Sequence, residues 1–168
     1  MAAIDTNILV RFLIQDDEQQ GHLARRLIQL VLAQGETVFI PVTVILELEW
    51  VLRSNFLFSK SQVVELISNL LSTKELEFES EPSVEIALEL FRNHAADFAD
   101  CLHIALAHRA GHSPLWTFDK TAGKVVGAKI LKCFKAPTKN APVGAFLLAF
   151  GGVDGTRTRD PRRDRPVF

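Results

Sequence analysis

Short apolar stretches alternate with helical patterns along most of this chain of 168 residues. The strand-like stretches are residues 2–4, 38–40, 76–78, 114–118 and 129–131. Between them, apolar residues recur at the three- and four-residue spacing of helices that bury one face. Strands separated by helices are typical of a parallel sheet covered on both faces. The pattern therefore predicts an α/β fold, a three-layer α/β/α sandwich around a central parallel sheet.

Polar residues mark where several predicted helices begin. Thr6 or Asn7 can cap the first helix, and Thr43 can cap the helix that follows Pro41. Asp97 stands where it can cap the helix within DFADCLHIALAHRAG. A role for Asp97 near a ligand stays open beside this capping role.

Composition limits the class of protein. Hydrophobic residues make up 48% of the chain, enough for a core at this length. No apolar run approaches the roughly 20 residues that cross a bilayer, and a signal-peptide pattern is missing, so we expect a cytoplasmic protein. Cys101 and Cys133 are too few for a disulfide framework or a cysteine-based zinc site.

The C-terminal end differs in charge from the rest. Residues 151–168 carry five Arg and three Asp, whereas residues 1–150 are mildly acidic. We expect one domain at 1–136 and an extension at 137–168 that is poorly ordered from about 151. The arginines could form an electrostatic arm for nucleic acid. Alternatively, the reading frame runs into a transfer-RNA gene on the opposite strand.

Acidic residues stand where the predicted strands and helices meet. Asp5 and Asp119 each follow an apolar strand, and ligands bind beyond the carboxyl ends of parallel strands. Glu47 lies in the first turns of its helix, and Asp97 and Asp100 share a helix face. Carboxylates brought together repel one another and resist ionisation, a conflict that a divalent cation removes.

Ligands of this type favour magnesium or manganese, because hard oxygen atoms without a His or Cys cluster suit these ions. Such a centre lowers the pKa of a bound water and neutralises charge on a leaving oxygen. The implied chemistry is phosphodiester hydrolysis. His108 and His112 do not compete as a metal site, because Gly111 breaks the helix between them.

Each carboxylate also has an ordinary structural interpretation. Asp5 could serve only as a helix cap, and Asp119 could be a turn residue before Lys120. Glu47, between Leu46 and Leu48, is expected to be partly buried, whereas Glu49 is expected to be solvated. The combination of acidic residues favours a site more than any single one does.

Basic residues border the predicted acidic cleft. Residues 120–139 include six lysines and no acidic residue. Lys120, Lys124 and Arg11 are therefore candidates for contacts with a phosphate backbone. A solvated, lysine-rich surface is the alternative.

Four motifs in order resemble those of PIN-domain proteins, and the length is most similar to VapC-type toxins of bacterial toxin–antitoxin pairs. They are Asp5-Thr6-Asn7 after the first strand, Glu47 after Pro41-Val42-Thr43, Asp100 within DFADCLHIALA, and Thr117-Phe118-Asp119. The resemblance covers residues 2–136.

The resemblance implies a ribonuclease dependent on Mg²⁺ or Mn²⁺, a homodimer, and inhibition by a cognate antitoxin protein. The residues it matches to catalytic metal ligands are Asp5, Glu47, Asp100 and Asp119, with Asp97 as a frequent extra acid. Asn7 and Thr43 match polar residues that support the first metal ligand. The apolar surface of residues 50–71 could receive the antitoxin or the dimer mate, or could simply pack into the core.

Two other functions are weighed against this one. Haloacid-dehalogenase-type phosphatases also begin with an aspartate after strand one, but they place a second aspartate where this chain has Asn7. A catalytically silent PIN-like binding module is the other alternative. A scaffold has no reason to keep mutually repelling carboxylates in one cleft.

Overall fold

The chain alternates short strands with longer helices, as its apolar pattern predicts, in a computed structural model that describes residues 2–132. The strands are β1 (Ala2–Ala3), β2 (Val38–Ile40), β3 (Leu76–Phe78), β4 (Leu115–Thr117) and β5 (Ala128–Ile130). The α-helices are α1 (Thr6–Ile14), α2 (Glu18–Ala33), α3 (Val42–Ser54), α4 (Lys60–Leu71), α5 (Glu81–Asn93) and α6 (Phe98–Arg109). A single 3₁₀ turn at Ala122–Lys124 precedes β5.

All strand pairing within the described residues is parallel, which confirms the predicted fold class. β1, β2 and β3 form one ladder in that order, and β4 pairs with β5 in a second. Ala2 lies opposite Val38, and Val38 lies opposite Leu76. Because the ladders are parallel, β1, β2 and β3 all end at the same edge.

The core lies between the first ladder and the helices. The central strand β2 is fully covered at Val38 and Ile40, both at 0% exposure. Phe91 of α5 and Phe98 of α6 meet edge to face, with ring centroids 5.6 Å apart. Burial of this apolar surface, at about 25 cal/mol per Å², is the main term that stabilises the domain.

Two predicted helix caps are wrong. Asp5, not Thr6 or Asn7, caps α1, because its side chain accepts the Ile8 N–H. The helix α3 begins at Val42 and has no side-chain cap from the residue before it, so Thr43 already lies inside the helix. When several consecutive residues can all cap a helix, the sequence does not decide which one does. The choice depends on where the chain leaves the preceding strand.

The described part of the chain forms one compact unit. Among its helices, none is long and apolar enough to cross a membrane. The predicted extension at 137–168, with its arginine-rich end, lies outside the described residues, and its boundary at 136 stays a prediction.

Candidate active site

The carboxyl ends of β1, β2 and β3 bring polar groups to one edge of the sheet. Asp5 follows β1 within two residues, α3 starts directly after β2, and Glu79 follows β3. The Val42 N–H at the start of α3 donates to Glu79 Oε2 over 3.0 Å. Glu79 therefore satisfies a donor at the start of α3, the role that sequence reasoning had given to Thr43.

Asp5 caps a helix at this edge. Its Oδ1 accepts the Ile8 N–H over 2.9 Å, and the residue is exposed to solvent. The cap fixes the direction of the carboxylate, because one oxygen is held against the first turn of α1. Asp5 thus caps α1, and whether it is also a ligand stays a prediction.

A buried threonine joins the first and second acidic motifs. Thr6 is only 5% exposed, and its Oγ1 donates to Glu47 Oε2 over 2.5 Å. The bond ties the first turn of α1 to α3 and sets the position of an otherwise exposed carboxylate. Sequence reasoning missed this residue and named Asn7 and Thr43 instead, both of which are exposed.

Asp97 and Asp119 each lie close enough to Asp100 for their charges to act on it. Partial burial first, and then the negative charges of Asp119 and Asp97, raise the pKa of the Asp100 carboxyl, while His103 acts in the opposite direction. Asp97 and Asp100 come from the start of α6, and Asp119 follows β4. The third and fourth acidic motifs are therefore within electrostatic range of each other, whereas the expectation that Asp5 and Asp119 share one edge stays a prediction.

Asp119 is held by the turn that follows it. Its Oδ1 accepts the N–H of Thr121 over 2.6 Å and the N–H of Ala122 over 2.7 Å. These backbone donors, Ala122 first, lower the pKa of the Asp119 carboxyl. Asp119 thus acts as a turn residue and stays ionised at the same time, so the two interpretations of this residue do not exclude each other.

Glu49 corrects one expectation, because it is buried and not solvated. It is 7% exposed, and its Oε1 lies 3.3 Å from Arg53 Nε without making a hydrogen bond of good geometry. Arg53 Nη1 also lies 3.9 Å from Asp97 Oδ1. Burial is the first cause that raises the pKa of Glu49; Arg53 lowers it, and Asp97 raises it further. Glu47, expected to be partly buried, is the exposed one of the pair.

The described side chains do not form a closed metal cage. Within residues 2–132, no three His, Cys, Asp or Glu side chains lie together as a group that could hold a metal ion. The prediction that Asp5, Glu47, Asp100 and Asp119 share one ion therefore stays a prediction. What the structure brings together is Thr6 with Glu47, and Asp100 with Asp97 and Asp119.

The residues predicted to contact phosphate differ in whether they already form ion pairs. Arg11 Nη1 pairs with Asp16 over 2.5 Å, and Arg11 Nε donates to Gln20 over 2.8 Å. Its charge is thus offset by a neighbour. Lys120 and Lys124 are exposed, and neither forms an ion pair with another described residue.

Comparison with known proteins agrees with the motifs. The PIN domain family model matches residues 2–127. A protein of Aquifex aeolicus (strain VF5) described as VapC ribonuclease is 24% identical over 125 residues, which cover 74% of this chain and 92% of that protein.

Proposed function

The chain belongs to the PIN domain family, and from this membership we propose that it is a metal-dependent ribonuclease that hydrolyses RNA phosphodiester bonds. The observation that carries the proposal is the family match over residues 2–127, and the negative charges of Asp97 and Asp119 that act on Asp100 fit a cation there. The similar protein of Aquifex aeolicus is described as a ribonuclease, which supports the same activity here.

The donor chemistry fits Mg²⁺ or Mn²⁺. All four proposed ligands, Asp5, Glu47, Asp100 and Asp119, offer hard carboxylate oxygens, with Asp97 as a further candidate. Mg²⁺ keeps much of its water and is commonly bound through one or two carboxylates together with substrate phosphates. When bound, the ion would lower the pKa of a water molecule and neutralise charge on the phosphate.

Other residues of this chain keep the proposed ligands in place. Thr6 holds Glu47 by a hydrogen bond, and the backbone N–H groups of Thr121 and Ala122 hold Asp119. Asn7 and Thr43 are proposed to support the orientation of Asp5. A ligand fixed before substrate arrives loses less freedom in the reaction, which is the contribution that preorganisation makes to a rate.

RNA contacts are proposed for the lysines that follow Asp119. Lys120 and Lys124 offer exposed charges to the phosphate backbone beside the carboxylates. Arg11 is a weaker candidate, because Asp16 already offsets its charge.

We further propose that the chain is the toxin of a toxin–antitoxin pair, acts in the cytoplasm as a homodimer, and is inhibited by a cognate antitoxin. Trp50 and Leu57 remain 62% and 84% exposed, so part of the apolar surface between α3 and α4 is available to a protein partner. Val63 and Ile67 of the same segment are buried in the core. A short neighbouring gene that encodes a DNA-binding protein, and that relieves growth arrest when co-expressed, would support this assignment.

The test of the nuclease is a pair of matched aspartate variants. Asp5 and Asp17 each cap a helix by accepting a backbone N–H, at the starts of α1 and α2. Asp5→Asn should abolish cleavage of labelled RNA in Mg²⁺ or Mn²⁺, whereas Asp17→Asn should cleave like the wild type. EDTA should stop cleavage by the wild type.

The same pair separates a nuclease from a silent binding module. If Asp5→Asn cleaves RNA as fast as the wild type, Asp5 is only a cap and is removed from the mechanism. If the wild type binds RNA but cleaves none in either metal, the binding module is the correct assignment. The phosphatase alternative is disfavoured by the family match.

A further inference from the structure

The strand β4 and the residue that follows it present aromatic side chains to solvent just before Asp119. Trp116 is 56% exposed and Phe118 is 79% exposed. Large aromatic rings usually lie mostly inside a domain, where burial of their surface contributes to stability. Trp116 and Phe118 are both exposed and lie just before a proposed catalytic carboxylate. This exposure suggests that the two rings bind another molecule.

The segment that contains these rings is rich in lysine. Trp116 lies opposite Lys129 in the ladder between β4 and β5, on strands about 4.8 Å apart. Lys120, Lys124 and Lys132 are also exposed, and Asp119 is the single acid between residues 115 and 132. None of the four lysines forms an ion pair in the part of the chain that the structure describes.

We infer that Trp116, Phe118 and Lys129 form a binding face for single-stranded RNA, with bases stacked on the rings and a phosphate at the lysine. This inference rests on the proposed ribonuclease function, and it adds how the strand is held beside Asp119. Trp116 lies on β4, and Phe118 is the first residue after that strand, where the backbone bends. Exposed aromatic rings beside a sheet can stack bases of a single strand.

Charge complementarity selects RNA as the occupant. Protein interfaces are enriched in aromatic residues but depleted of lysine, so the exposed lysines of this segment, and not its rings, argue against a protein partner. The face on β4 instead combines aromatic rings with unpaired cations, which match a polymer of bases and phosphates. Stacking is tolerant of sequence, because every base has a flat surface.

The experiment uses the full chain in EDTA, so that RNA binding is measured apart from cleavage. The probe is a short fluorescein-labelled single-stranded RNA of mixed sequence, followed by anisotropy. Trp116→Ala and Phe118→Ala should each weaken binding by about 5- to 100-fold, the loss of one stacked base. Trp116→Phe should retain most of the affinity, and Lys129→Ala should reduce the salt dependence of log Kd by about 0.7.

The two tryptophans of the chain provide a second, direct measurement. In Trp50→Phe the only tryptophan is Trp116, and unlabelled RNA should quench its fluorescence. In Trp116→Phe the remaining Trp50, on α3 and 62% exposed, should not respond. Leu30→Ala is the control for affinity, since it removes an apolar side chain that is 55% exposed from a different element, α2.

Some outcomes would overturn the inference, and others separate it from the nuclease proposal. Unchanged RNA affinity in both Trp116→Ala and Phe118→Ala would do so. A lower oligomeric state in these variants, with RNA affinity unchanged, would assign the face to a second copy of the chain. If Trp116 is needed for binding but no RNA is cleaved in Mg²⁺ or Mn²⁺, the face stands and the nuclease proposal fails. If RNA is cleaved and Trp116 is dispensable for RNA binding, the nuclease proposal stands and the binding face is refuted.

Discussion

Thr6→Val removes one hydroxyl from a buried position and leaves the shape of the side chain nearly unchanged. In the wild type this hydroxyl donates to Glu47 Oε2 over 2.5 Å and links α1 to α3. Thr6 is 5% exposed, so the new methyl group fills the same space and creates no cavity. The substitution therefore isolates the hydrogen bond from the packing.

The magnitude follows from the surroundings of the two partners. A hydrogen bond to a charged group contributes about 1.5–3 kcal/mol to stability. Glu47 is exposed, so its carboxylate regains water when the bond is lost, and the net cost falls to about 1 kcal/mol. With a urea slope of about 1–3 kcal/mol per M, the unfolding midpoint should move down by about 0.3–1 M.

Two assays test this reasoning together. Urea unfolding measures the stability loss, and cleavage of labelled RNA in Mg²⁺ measures whether Glu47 is still held in place. We expect kcat to fall by about five- to tenfold, with KM less affected, because the bond positions a proposed metal ligand and Thr6 itself is not proposed to contact substrate. Thr6→Ser keeps the hydroxyl and should restore most of both quantities. Wild-type stability and kcat in Thr6→Val would refute the positioning role.

Three further predictions concern burial and charge. Phe98→Ala should cost about 3–5 kcal/mol in urea unfolding because its ring is fully buried, whereas Phe118→Ala should stay within about 0.5 kcal/mol; equal losses would contradict the packing. Asp119→Asn should be destabilising at neutral pH, with the deficit lost as pH falls through the lowered folded-state pKa; a pH-independent deficit would count against this cause. Glu49→Gln should be at least as stable as the wild type at neutral pH. Because the pKa of Glu49 is raised in the folded state, ionised Glu49 lowers the free energy of unfolding as pH rises above about 4.3. A loss of stability in Glu49→Gln that is largest at neutral pH would contradict this reasoning.

The strands and helices could be predicted because their signals are local. The predicted strands at 38–40 and 76–78 match β2 and β3 to the residue. The start of α1 could not be predicted, because Asp5, Thr6 and Asn7 are all good capping residues and the choice depends on where β1 leaves the sheet. Local propensity decides that a helix exists, and tertiary packing decides its first turn.

The sequence predicts which acidic residues belong to the candidate site, but it does not predict which side chains bond to one another. The sequence predicts that the acidic residues gather at one site, and the charge of Asp119 does act on Asp100. The bond between Thr6 and Glu47 spans 41 positions, and no spacing rule in the sequence pairs these two side chains. Contacts of this kind depend on how two helices pack, which is information that periodicity does not contain.

The burial of Glu49, which was expected to be solvated, could have been predicted from helical geometry. Residues two apart on a helix point in nearly opposite directions, so Glu47 and Glu49 cannot both lie on the exposed side. Ile45, Leu48 and Leu52 are all at 0% exposure, and Glu49 falls within the stripe that they form at three- and four-residue spacing. Arg53 follows Glu49 by four residues, the spacing at which a cation can offset a buried carboxylate. A stripe that contains an acid with a cation one turn later therefore predicts that the acid is buried and that the partly exposed cation reaches it, and it leaves the other acid, Glu47, to face the candidate site.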